Sequence, residues 1–440
     1  MIATRAVGAA CALLVGTATV AYADPENALG LGPEAAARAG ALGAVGAGFE
    51  SVHYNPAALP LGADGTTEIG LAFLRARPSL FVEALDGAML PRELPPEIDT
   101  TTALFAGTRF DLGGAIGVDG LHAAFAVYSP LDHVFQYETH PDDRPQWLMW
   151  DDRTQHVAVW AGLGWRVTDW LSIGLSARVV FDIELFTTGR VRSITERVEP
   201  ETGETVVAAD TELGEELTVI GHASPIAGVV VTPVPGVRAG LVWRGKLRLD
   251  DWGWARVGGE TGGLGALGYV YRFSHYYRPH EIALSAAWDV SNELSLSAEL
   301  TWQLWSRAVS GELERLPGRF GDTLVPAVSG RLTVERGVDL MAGYRYVRSP
   351  FDNFGGPTNL LDNDRHEPSI GMALAPYVGN EQLPFVVTWA VRLAVLPTRE
   401  ERKDWQRFAS DDDLMRNPGN PGYRHGGVVP SAELGVEARW

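Results

Sequence analysis

The sequence predicts an all-β fold, a transmembrane antiparallel β-barrel of about 14 strands with a small N-terminal plug, or hatch, inside the lumen. Three observations carry that expectation. Most of the chain alternates apolar and polar residues with a period of two, short turns alternate with long polar segments, and one stretch near the N-terminus lacks the period. Composition alone points elsewhere. With 440 residues, 46% hydrophobic, 50 glycines and a net charge of −19, the chain resembles an acidic globular protein. Its mean hydropathy of −0.02 fits that picture equally well. Beyond the N-terminal leader, no stretch approaches the ~20 consecutive apolar residues that a spanning helix needs.

The alternation is clearest at 294–304. Leu294, Leu296, Ala298, Leu300, Trp302 and Leu304 alternate with Ser295, Ser297, Glu299, Thr301 and Gln303. One face of such a strand suits hydrocarbon and the other suits water. Residues 171–185 repeat the pattern, with Leu171, Ile173, Leu175, Ala177, Val179, Phe181, Ile183 and Leu185 opposing Ser172, Ser176, Arg178, Asp182 and Glu184. Residues 237–249 read as a single strand with Arg238, Arg244, Lys246 and Arg248 on its polar face, and 282–290, 338–346, 385–395 and 432–440 follow suit. Strands of soluble sandwiches average ~5–6 residues, whereas these runs match the ~9–11 of a tilted membrane strand.

The expected strands begin near Thr67, Leu104, Leu121, Gln155, Leu171, Glu216, Val237, Pro279, Glu293, Pro326, Val338, His366, Pro384 and Pro430. Turns at 168–169, 291–293 and 336–337 are short, and segments 132–154 and 190–215 read as long outer loops. Trp165, Trp170, Trp288, Trp302, Trp305, Tyr344 and Tyr346 lie near strand ends, where interfacial girdles form. The final strand ends on Trp440, which suits recognition by the barrel-assembly machinery.

Ahead of the barrel, Arg5, the apolar run 6–20 and Ala21-Tyr22-Ala23 read as a cleaved signal peptide over 1–23. Cys11, the only cysteine, lies inside it, so export leads to no disulfide framework. An exported barrel is expected in the outer membrane of a Gram-negative-type bacterium, in contact with its lipid. Residues 24–65 are rich in Ala and Gly and too few to build a core of their own, so they are assigned to the hatch and 66–440 to the barrel.

The run Arg38-Ala-Gly-Ala-Leu-Gly43-Ala followed by Ser51-Val-His-Tyr-Asn55-Pro56-Ala57 resembles the hatch signature of the FadL/TodX family of outer-membrane transporters. The likeness continues in order. It takes in 121–130 with its Tyr-x-Pro end, the hairpin 165–174, Leu241-Val-Trp-Arg244, the Trp305-Ser306 strand end, 342–350 and 361–366. The resemblance implies a hatch-occluded barrel for long-chain fatty acids and other hydrophobic compounds, with a kinked third strand that opens laterally into the bilayer. It places Asn55, Pro56 and Ala57 at the gate. Family members often carry Gly after Asn-Pro-Ala, where this chain has Ala58.

No enzyme motif appears: Gly-x-Ser-x-Gly and His-Glu-x-x-His are both absent, and the ten His are scattered. No cofactor or metal is expected. Asp411, Asp412 and Asp413, like Asp362, Asp364 and Glu367, read as solvated loop acids. With 55 Asp+Glu against 36 Lys+Arg, a nucleic-acid partner is not expected either. Phe135, Tyr137, Trp147, Leu148, Met149 and Trp150 crowd one long loop and read either as packing against other loops or as the entry surface for a hydrophobic substrate. Arg238, Arg244 and Arg248 read either as part of a charge network lining a polar lumen or as a contact for a substrate carboxylate. The expected function is passive transport of hydrophobic compounds, long-chain fatty acids above all, by loop capture and hatch-gated lateral release. A general porin or a structural or adhesive barrel is the alternative.

Overall fold

The computed structural model describes residues 29–46, 48–62, 65–84, 86–92, 100–131, 146–147, 156–198, 205–259, 267–308, 320–350, 360–402 and 422–440. The leader 1–23 lies outside these residues. The wall starts with β1 (Thr66–Arg75), β2 (Thr100–Asp111), β3 (Leu121–Pro130) and β4 (Ala158–Thr168). Next come β5 (Leu171–Val198), β6 (Thr205–Val234), β7 (Val237–Arg244), β8 (Glu281–Asp289) and β9 (Leu294–Gln303). It ends with β10 (Thr323–Glu335), β11 (Val338–Val347), β12 (Arg365–Leu374), β13 (Phe385–Arg402) and β14 (Gly422–Arg439). Each strand pairs antiparallel with the next, and β14 returns to β1 with Thr66 opposite Arg439, closing a ring of 14. A closed ring leaves no unpaired edge for lipid to meet.

The wall is ordered inside out relative to a soluble sandwich. On β9, Leu296, Leu300 and Trp302 are 41%, 43% and 43% exposed, whereas Ser297, Glu299 and Gln303 are 7%, 8% and 9% exposed. The predicted alternation is therefore real, with its polar face turned into the lumen. Trp165, Trp170 and Trp288 stand exposed toward the short-turn end, and Trp243, Trp302 and Tyr344 toward the other.

Four expectations need correction. Segment 190–215 is strand for most of its length, because β5 and β6 stay paired beyond the ring out to Val198 opposite Thr205. The β-branched residues Thr205, Val206, Val207 and Thr211 favour that extension. Residues 237–249 are not one strand. The chain leaves the ring at Gly245, whose N–H bonds Pro225 O at 2.8 Å, and the alternation changes phase there. Leu247 and Leu249 are then buried and Lys246 exposed, and a hairpin of Leu247–Gly259 with Leu267–Arg278 rises from that point. The third strand carries no break. β3 pairs in continuous register with β2 and with β4, so the lateral opening implied by the resemblance is not built there. Finally, Asp362 and Glu367 are buried, not solvated, and are described with the site below.

The N-terminal segment fills the ring. It contains α1 (Pro33–Ala37), α2 (Ser51–Tyr54) and a 3₁₀ turn at Pro56–Leu61. Pro33 sits in the first turn of α1, where its missing N–H costs nothing. Ala39 (φ 51°) and Gly40 (φ 78°) reverse the chain after α1. Leu31, Ala35, Ala37, Val52, Asn55, Ala57 and Leu59 are all 0% exposed.

Candidate functional site

The segment is held by backbone carbonyls that accept hydrogen bonds from the polar lumen face. Arg109 of β2 donates to Leu59 O at 2.8 Å and to Gly62 O at 2.9 Å. Ser176 of β5 donates to Val52 O at 2.6 Å, and Ser369 of β12 to Ala37 O at 2.8 Å. Ser297 of β9 donates to Ala41 O at 2.8 Å. In the other direction, Arg38 of the hatch donates to Ser329 of β10 and to Ser297 at 3.1 and 3.3 Å. The donors lie on strands around the whole ring, which accounts for the backbone groups of a segment too short to satisfy them alone.

Asn55 joins the two halves of the segment to the wall. Its Nδ2 donates to Gly43 O at 2.7 Å and to Val229 O of β6 at 3.3 Å, while its Oδ1 accepts from Ala57 N at 3.1 Å. That last bond caps the 3₁₀ turn begun by Pro56. The motif rests on a row of glycines. Gly164 of β4 lies opposite Gly174 of β5, which lies opposite Gly228 of β6. A Cβ on Gly164 would strike Pro56 O, one on Gly174 would strike Pro56 and Ala57, and one on Gly228 would strike the Asn55 amide. The wall is thus stripped of side chains where the Asn-Pro-Ala backbone touches it.

Beside this seat, His53 is 2% exposed, and its Nδ1 has no hydrogen-bond partner among the described residues. Its ring meets Trp160 edge-on at 5.8 Å between centroids. Burial holds the His53 pKa well below the ordinary value, and Arg278, Arg244 and Arg178 push it the same way. His53 is therefore neutral in the seated segment.

Arg244, expected in the lumen, is there and is occupied. It donates to His53 O and Tyr54 O at 2.9 and 2.8 Å and pairs with Glu281 at 3.3 Å. Arg238 also faces inward, paired with Asp289 at 2.8 Å. Arg248 lies on the hairpin, on the face opposite Leu247 and Leu249, so the three arginines do not converge. This geometry fits the charge-network alternative for Arg238 and Arg244. A second network surrounds Glu367, with Arg345, Arg365 and Arg392 at 2.6, 3.3 and 3.9 Å. Asp362 lies 3.6 Å from Arg365, and Asp364 accepts from the Tyr346 hydroxyl and Ser349 N at 2.7 and 2.8 Å.

Of the expected entry surface, Trp147 is described in its backbone only, paired in parallel with Leu361. Phe135, Tyr137, Leu148, Met149 and Trp150 lie outside the described residues, as do Asp411, Asp412 and Asp413.

Sequence reasoning missed an apolar patch on the lumen face. Trp160, Val180, Ile226, Val242, Leu247 and Leu249 are buried and share one cluster with Val52, Tyr54 and Leu59 of the hatch. Its signal is a local failure of alternation: apolar residues run without interruption through 179–181 and 241–243.

No family model and no curated protein sequence matches the chain. Solved structures do. A Pseudomonas aeruginosa FadL homologue aligns with a TM-score of 0.57 at 14% identity, over 95% of this chain and 99% of that one. The Ralstonia pickettii toluene transporter TbuX gives 0.53 at 14%, over 93% and 98%. The Pseudomonas putida toluene transporter TodX gives 0.52 at 13%, also over 93% and 98%. Over almost its whole length, then, this chain has the barrel fold of the FadL homologue and the two toluene transporters.

Proposed function

We propose that the barrel passes hydrophobic compounds across the outer membrane, long-chain fatty acids first among them, with the N-terminal segment as a movable hatch. The observation that carries this reading is the apolar lumen patch, from Trp160 to Leu249, which packs against the hatch alongside the polar groups of the lumen. A water-filled porin has no use for such a surface, whereas a hydrophobic solute gains from it roughly 25 cal/mol per Å² of area withdrawn from water. The likeness to transporters named for toluene supports the same substrate class.

In this reading the outer loop around Trp147 and Trp150 collects the solute, the hatch yields, and the solute takes the place of hatch side chains on the patch. Transport is passive and follows consumption of the solute downstream, with the hatch shifting between seated and displaced populations. With β3 continuous, displacement of the hatch is the gate that the geometry supports; lateral release would need a break elsewhere in the wall. Mass spectrometry of lipids that co-purify with the detergent-extracted barrel tests the substrate class. Fatty acids or hydrocarbons retained through purification are the expected result. A barrel free of hydrophobic ligand, with steady ohmic conductance in planar bilayers, overturns the reading in favour of a general porin.

A further inference from the structure

The lumen face where β1 meets β14 is unusually acidic. Glu68 stands directly opposite Glu437, and Glu433 lies opposite Ala72 two pairs further along the same face. Like charges directly opposed on an antiparallel pair repel. The hatch adds to the crowd. Glu433 reaches the Gly30 backbone, and a Cβ on Gly30 would lie 3.0 Å from its Oε1. Glu68 lies over Gly435 beside Pro33. Glu34 and Glu50 of the hatch act on Glu68, Phe49 next to Glu50 packs over Gly107, the residue opposite Glu68, and Glu50 accepts a local bond from Gly48 N at 2.9 Å.

The surrounding cations do not neutralise this seam. Arg38 pairs with Glu34 at 3.2 Å. Arg331 of β10 approaches Glu34 at 3.6 Å but pairs more closely with Asp339 of β11, at 2.6 Å. Arg439 takes Glu437 at 2.8 Å. Arg392 of β13 pairs with Glu367 at 3.9 Å and donates to Ala36 O at 3.4 Å. Arg109 of β2 is turned to Leu59 and Gly62. Glu50, Glu68 and Glu433 form no ion pair with any described residue, and Glu50 and Glu433 are each only 4% exposed. For Glu50, on the hatch, burying an unpaired carboxylate is costly enough that the group keeps its proton instead.

We propose that protonated carboxyl groups latch the hatch to the closing seam of the barrel, so that the seated hatch loosens as pH rises. The inference rests on the hatch reading above and assigns its control. Burial, reinforced by Glu34 and Glu437, pushes Glu50 up to about 8. A group with a raised pKa in the seated state favours that state fully below its ordinary value of 4.5 and loses the contribution as pH climbs through about 8. A polar cavity of about 410 Å³ opens at the short-turn end, lined by Asp289, Ser291, Glu293, Arg331 and Asp339, and Arg331 links it to Glu34.

Hydrogen exchange on the full chain in detergent, read by mass spectrometry on peptides covering 48–61 and corrected for intrinsic exchange, tests the latch. The comparison runs from pH 7 to pH 9, where His53 is mostly uncharged whether the hatch is seated or displaced. Protection should fall about tenfold over that interval in the wild type, and Glu50→Gln should abolish the fall. Equal protection at both pH values, or a Glu50→Gln variant that loses as much as the wild type, overturns the proposal. If Glu50→Gln fails to give a heat-modifiable barrel, Glu68→Gln serves instead: a smaller pH-dependent loss supports the latch and an unchanged one overturns it. Failure here leaves the hatch reading standing, because that reading is decided by retained ligand and by conductance.

Discussion

Asn55 is the residue through which the hatch, its internal fold and the wall are tied together, since one side chain serves Gly43, Ala57 and Val229. Replacing it with Ala strands the buried Gly43 carbonyl and uncaps the 3₁₀ turn, a loss of about 1–3 kcal/mol. Asn55→Ala should therefore raise the frequency of channel openings in planar bilayers while the barrel keeps its heat-modifiable mobility. His53 makes a prediction of opposite sign to that of Glu50. Its depressed pKa means that the seated hatch is favoured above the ordinary value of 6.5 and weakens as pH falls below it. In a Glu50→Gln background, where the opposing carboxyl is gone, hatch protection measured from pH 7 down to pH 5 should fall, and adding His53→Gln should remove the fall. Asn55-Pro56-Ala57 was legible in the sequence as a motif. The apolar lumen residues were not, because Val180 and Val242 look like ordinary wall residues until the strand's inward face is known.

At the scale of elements, the row Gly164, Gly174 and Gly228 forms a groove across three strands. Gly174→Val adds side-chain atoms where Pro56 and Ala57 lie, yet leaves the strand's own ladder intact and suits its β conformation. The expected variant is a well-assembled barrel with a displaced hatch, seen as new protease cleavage within 48–61. An unchanged digestion pattern would show that the groove tolerates the added bulk. Alternation predicted the strands well, because lipid outside and water inside repeat at every second residue. It could not show where a strand departs from the ring. At Gly245 the backbone bends to meet Pro225, and the change of phase that follows falls within a run that still alternates. For the same reason the expected loop 190–215 hides the outer part of β5 and β6, which leave the wall near Val180 and Ile226 and stay paired out to Val198 and Thr205. Glycine rows across strands stay hidden for a different reason, since register between strands is set in three dimensions and not along the chain.

For the whole molecule, the closed ring of 14 strands is the feature most completely encoded in sequence, and the occupied lumen is the feature that gives it a function to test. Deleting 24–59 should convert a mostly closed barrel into an open one, with steady conductance in place of rare openings. Substituting Trp147 and Trp150 together with Ser should abolish uptake of hydrophobic substrate and leave assembly untouched, and unchanged uptake would remove the loop from the entry route. The closing seam has a consequence for how the molecule comes to exist. Trp440 Nε1 donates to Thr67 Oγ1 at 3.2 Å, across 373 residues of chain, so the ladder that completes the wall joins its most distant parts. Pairings of such long range form slowly, because chain entropy is surrendered before any contact repays it. The hatch precedes β1 in the chain and lies inside the finished ring, so a hatch gathered within the curling sheet before β14 arrives never has to thread a closed wall. Its many bonds to separate strands make it a mandrel on which the sheet can bend, and a variant that loosens the gate should also slow the birth of the barrel.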